Sequence, residues 1–109
     1  MPRRRRRQVS ESAIRLGAAG EIELVGVLDY RSGPALRKQG AALIKSSQAP
    51  SVVLDCSAVE KSSSVGLALL LAFMRDAGAL GKAVSIRALP LDMREIAKVS
   101  GLEELLAHP

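Results

Sequence analysis

Aromatic side chains are nearly missing from this chain. Tyr30 and Phe73 are the only two among 109 residues, and there is no tryptophan. The core must therefore be aliphatic, and stacking bases on aromatic platforms is excluded as a main activity. One cysteine, Cys56, leaves no internal disulfide and no cysteine metal cluster, and it suits a reducing compartment. One histidine, His108, stands next to the end of the sequence, where a histidine-dependent active site is not expected. No apolar run approaches the roughly 20 residues that span a bilayer. No glycine-rich loop ending in lysine is present, so this chain is not expected to hydrolyse nucleotide itself.

Charge is concentrated at one place. Arg3 to Arg7 equal the whole net charge of +5, and the other 11 of the 16 basic residues balance the 11 acidic ones. Residues 1–11 read as a solvated, disordered basic tail. Contact with anionic lipid headgroups or with RNA is the sharper reading; each basic residue near an anionic membrane surface is worth ~1 kcal/mol. A near-neutral body counts against nucleic-acid binding, which calls for a basic face on the domain itself, and no nucleic-acid partner is expected.

The rest, 12–107, reads as one α/β domain. Ala13–Leu16 alternates, Gly17–Gly20 turns, and Ile22, Leu24, Gly26 and Leu28 share one face of a second strand, which predicts a hairpin with a loop of three to four residues. Asp29–Gly33 is a turn, and Pro34 suits the start of a helix running to about Ser46. Leu36, Leu43 and Ile44 mark its inner face, with Arg37, Lys38 and Gln39 in water. Val52–Leu54 predicts a buried strand ending at Asp55, followed by a short polar turn. Ser62, Ser63 and Ser64 stand where a helix opens, with Ser64 as its cap or as cap and contact residue together. That helix is apolar almost all the way round from Val65 to Met74, and in so short a chain one of its faces is hard to bury without a partner or a neighbouring helix. Gly78 or Gly81 ends it. Ala83–Ala88 is a further strand. Pro90 opens a last helical region carrying Met93, Ile96, Ala97 and Val99, and Leu102, Leu105 and Leu106 suggest a final turn. The order β-β-α-β-α-β-α implies a mixed four- to five-stranded sheet with helices mainly on one face.

The residues offer little for catalysis. Asp55 has no second carboxylate nearby in sequence, Cys56 reads as a small buried hydrophobe, and a nucleophile elbow at Ser64 would need glycine where Ser62 stands. No catalytic residue, metal or cofactor is expected.

The run Val52-Val53-Leu54-Asp55-Cys56-Ser57-Ala58-Val59, followed by Ser63-Ser64-Val65-Gly66-Leu67, resembles the signature of STAS domains: a strand ending in Leu-Asp-hydrophobic-Ser, then an Asp-Ser/Thr-x-Gly-Leu turn at a helix N-terminus. The element order fits over roughly 12–107. Within the family, the continuation Gly66-Leu67-Ala68-Leu69-Leu70-Leu71 is most similar to the small MlaB-type subunits of the Mla phospholipid-transport ABC systems of Gram-negative bacteria. The resemblance implies a non-enzymatic subunit that binds the transporter's ATPase, and through it the permease, and so sits in the cytoplasm on the inner membrane, serving outer-membrane lipid asymmetry. The expected contact set is Ser62, Ser63, Ser64, Val65, Leu67, Ala68 and Leu71 with Arg31, Arg37 and Lys38. The resemblance also matches Ser64 to the residue phosphorylated in anti-sigma-factor antagonists, which implies an alternative, a phospho-switch that exchanges protein partners. Ser63 stands where the family usually has aspartate, which counts against that switch and leaves docking intact. The exposed helix makes a homodimer plausible when the chain is alone.

Overall fold

A computed structural model describes residues 12–107, so the arginine run lies outside the described residues. The elements are β1 (Ala13–Leu16), β2 (Ile22–Leu28), α1 (Gly33–Ser46), β3 (Ser51–Ser62), α2 (Ser64–Ala79), β4 (Ala83–Arg87), α3 (Leu91–Val99) and α4 (Glu103–Ala107). They form a four-stranded sheet in the order β1-β2-β3-β4. The first pair is antiparallel and the next two are parallel. This is the mixed α/β sheet expected from the sequence.

Alternation in β2 sorts the sheet into two faces. Ile22, Leu24, Gly26 and Leu28 are buried, whereas Glu23, Val25 and Val27 between them are half-buried. Both parallel crossovers, β2-α1-β3 and β3-α2-β4, advance across the sheet in the same direction. Right-handed connections then bring both helices to one face, where they pack on each other. A Cβ at Gly40 of α1 would lie 2.4 Å from the Phe73 ring of α2. Glycine is what allows so close a crossing. Phe73, Leu24, Leu28, Ile44, Leu54, Leu70 and Met93 are fully buried and fill the single core between sheet and helices.

The opposite face of the sheet is built on charge. Arg15, Glu23, Asp55 and Arg87 are register partners on successive strands, β1 to β4. Two carboxylates side by side would repel, but each has its own guanidinium. Arg15 lies 3.6 Å from Glu23, and Arg87 lies 2.8 Å from Asp55 and 3.2 Å from Glu21. Asp55 is 6% exposed. The Arg87 guanidinium and then the Ser57 N–H hold its carboxyl down to about 2.

Several details differ from the sequence reading. Strand β3 does not stop at Asp55 before a polar turn; it runs on to Ser62. Its second half is not hydrophobic, and what keeps it extended is pairing with β2 as far as Leu28↔Ser62. That pairing requires two register slips on either side of Gly26, whose φ of +88° is a backbone state that side chains disfavour. The hairpin loop is longer than expected, Gly17 to Glu21, closed by Gly17 N–H to Glu21 carbonyl at 2.7 Å. Of the two candidate glycines after α2, Gly81 takes the left-handed conformation, at φ +71°, while Gly78 stays helical. Arg37 does not simply face water, because it is half-buried and forms a two-pronged pair with Asp76 of α2.

Candidate functional site

The ends of β2 and β3 lie side by side, so the turns that follow them meet. The first turn is held by Asp29. Its carboxylate accepts the Arg31 N–H at 3.0 Å and the Ser32 N–H at 3.2 Å, and Arg31 Nη2 approaches it at 3.3 Å. The Ser32 N–H, reinforced by Arg31, keeps the Asp29 carboxyl below the usual carboxylate range. This is an Asx-type turn, the reason aspartate suits the position. It turns Tyr30 and Arg31 outward, with the Arg31 guanidinium 5.8 Å from the Tyr30 ring centroid and Tyr30 76% exposed.

The second turn is the serine cluster, and its three members do three different things. Ser62 ends β3 and is buried; its N–H donates to Asp92 of α3 at 3.0 Å and its hydroxyl to the Ser63 carbonyl at 2.8 Å. Ser63 is the cap of α2. Its Oγ accepts the Val65 N–H at 3.1 Å and donates to the Leu28 carbonyl at 3.3 Å. Ser64, expected to cap, is instead the first helical residue and is exposed. Aspartate and serine are nearly equivalent helix caps. Ser63 therefore does the capping that an aspartate here would do, without its charge.

Between the two turns runs a groove of about 410 Å³, lined by Tyr30, Gly33, Pro34 and Arg37 on one side and Val65, Ala68, Leu69 and Ala72 on the other. The two helices come close here: a Cβ on Gly33 would come within 2.9 Å of Val65 Cγ1. Apart from the Arg37 side chain and the Tyr30 hydroxyl, the lining side chains are apolar. The Arg37–Asp76 pair lies alongside and ties α1 to α2.

The expected contact residues divide accordingly. Val65, Ala68 and Arg37 line the groove, while Ser63, Ser64, Arg31 and Lys38 are exposed around it. Leu71 is half-buried on the outer stripe of α2. Ser62 and Leu67, at 8% and 4% exposure, face inward. Sequence reasoning passed over Tyr30, Pro34, Leu69 and Ala72. An isolated tyrosine in a turn was the available signal for the first, but the others needed the pairing of α1 with α2.

Little here is suited to covalent chemistry. Burial, with the Asp55 charge beside it, pushes the Cys56 thiol up to about 12, where it is inert. The adjacent carboxylates Glu23 and Asp55 are each engaged by an arginine. Among the described residues, no three His, Cys, Asp or Glu side chains are grouped to hold a metal, and no helix is long and apolar enough to cross a membrane.

Comparison with known proteins agrees with the fold. No curated protein matches the sequence. A chain of the Acinetobacter MlaFEDB complex, in an ATP-bound conformation, superposes with a TM-score of 0.76 at 21% identity, over 89% of this chain and 99% of that one. An anti-sigma factor antagonist from Mycobacterium paratuberculosis superposes with a TM-score of 0.71 at 26% identity, over 91% and 85%. The phosphorylated form of the Bacillus cell-fate determinant SpoIIAA gives 0.62 at 18% identity, over 86% of each chain. The family model described as "Mlab, STAS domain" matches residues 13–107, nearly everything the structure describes, and the chain belongs to that family of STAS domains.

Proposed function

We propose that this chain is a non-enzymatic subunit that binds the ATPase of an ABC phospholipid transporter and favours its competent state. The observation that carries the reading is the groove between α1 and α2, bordered by the exposed Ser64 turn. It is a shallow, open and largely apolar surface with an exposed tyrosine and arginine at its edge, residue types enriched at the energetic centres of protein interfaces. The family match and the likeness to a chain of a transporter complex support the choice of partner. On this reading the protein acts from the cytoplasmic side of the inner membrane, in a system that maintains outer-membrane lipid asymmetry. It shifts the ATPase only by binding one of its conformations better than another. The basic run Arg3–Arg7 adds contact with anionic headgroups beside the complex.

A second reading has its own support. Ser64 is exposed at the positive end of α2, where a phosphate is well accommodated, and the mycobacterial relative at 26% identity is an anti-sigma factor antagonist. A phosphate there would add nearly two negative charges beside the groove and expel a bound partner.

Affinity purification of the tagged chain from detergent-solubilised cells, wild type beside Ser64→Arg, distinguishes the two. The expected result is an ABC ATPase and its permease with the wild type, lost in a variant whose circular dichroism is unchanged. Wild-type recovery of the ATPase by Ser64→Arg would show that this turn is not the contact. A kinase or anti-sigma factor in place of the ATPase would establish the phospho-switch.

A further inference from the structure

The balance of charge in the body conceals a local imbalance. Helix α1, GPALRKQGAALIKS, has three basic residues and no acidic one. Its neighbour α2 contributes Arg75 and Asp76. Asp76 is the only carboxylate on the pair, and Arg37 occupies it with two hydrogen bonds. Lys38, Lys45 and Arg75 are left exposed, and among the described residues none of them takes an ion pair.

These cations are arranged in line with the groove. At 3.6 residues per turn, Pro34, Lys38, Ala41 and Lys45 fall on one stripe of α1. Ser64, Ala68, Leu71 and Arg75 fall on one stripe of α2. Pro34 and Ala68 line the groove, so each stripe begins at the apolar recess and ends in positive charge. Along α1 it covers about three turns, or roughly 16 Å. The surface is thus an apolar slot between two helices with cationic shoulders.

We propose that this slot receives an acidic amphipathic helix of the partner, with apolar residues at i and i+3 or i+4 seated over Val65 and Ala68 and carboxylates facing Lys38, Lys45 and Arg75. The proposal deepens the docking reading given above and rests on it. Helix-in-groove recognition reads such spaced apolar anchors. The cations flank a strip of apolar side chains instead of forming a continuous basic face, which favours an amphipathic helix over an anionic membrane surface. The charges act mainly on the rate of encounter, and the recess acts on residence.

The test uses the full-length chain and the purified ABC-transporter ATPase of the same organism, with association and dissociation rates measured in 50 and 500 mM NaCl. Lys38→Glu/Arg75→Glu should weaken binding roughly tenfold at low salt, through association, and flatten the salt dependence. Ala68→Arg should weaken binding at both salt concentrations, through dissociation. All three positions are exposed, and an unchanged melting temperature verifies folding. Undiminished binding by the charge-reversed variant, with loss in Ala68→Arg, would overturn the acidic-helix proposal and leave the docking site standing. Indifference to both changes would remove the docking site as well. Groove-dependent binding to phosphatidylglycerol vesicles, lost in Ala68→Arg, would replace the partner helix with a lipid surface and overturn the proposal.

Discussion

The open face of the sheet and the outer face of the α1–α2 pair treat charge in opposite ways. On the sheet, Arg15, Glu23, Asp55 and Arg87 come from four different strands and neutralise one another in one row. On the helices, one carboxylate serves four basic residues, and three of these remain exposed beside an apolar groove. The first surface has its arginines and carboxylates paired and belongs to stability. The second is incomplete, which is the condition under which a partner gains by binding. The lesson is that net charge, near zero for the body as a whole, says less about interaction than where the pairs close.

Perturbing each face separately sharpens the contrast. The largest effect on stability is expected from Asp55→Asn, which leaves Arg87 with only Glu21 and removes a buried charge-assisted bond. A loss of about 2 kcal/mol by denaturant titration is expected, with binding of the ATPase unchanged. The same residue sets an acid dependence. The folded-state value of Asp55, about 2, lies below its ordinary 3.8. Its contribution is therefore full above about pH 4 and is lost as the pH falls through the interval towards 2. Wild type and Asp55→Asn should converge in stability over that interval, and a constant gap would show that the carboxylate is not the source.

Gly40→Ala addresses the helix pair. Alanine improves helix propensity by ~1 kcal/mol, but its Cβ would enter the Phe73 ring, and overpacking costs roughly 1–3 kcal/mol. A net loss of about 1 kcal/mol is expected, with weaker partner binding because the groove widens. Unchanged affinity would mean that the spacing of α1 and α2 does not shape the site.

The smallest effects separate the serines. Ser63→Ala removes the cap and should cost about 1 kcal/mol. Ser64→Ala should change stability by less than about 0.5 kcal/mol. The reverse order would return the cap to Ser64.

Much of this was legible in the chain. Alternation gave β2, Pro34 gave the start of α1, and the apolar run gave α2, because each depends on local periodicity or on a backbone constraint. The serine cluster was recognisable as a helix start, but which serine caps was not, since all three have the same hydroxyl. Position relative to the last β3 pairing, Leu28↔Ser62, decides it. The second half of β3 was invisible for a similar reason. Glu60-Lys61-Ser62 has no strand-like pattern, and β2 holds it extended through a slip at Gly26.

The sequence by itself determined the element types, the family signature and the neutrality of the body, all of which are sums over near neighbours along the chain. Tertiary structure alone decided that Arg37 is consumed by Asp76, 39 positions away, that Tyr30 and Ala68 border one groove, and that Ser62 and Leu67 are buried. Those outcomes depend on which strands adjoin and how closely two helices cross, and such distances are fixed only when the sheet order and the packing of α1 on α2 are in place.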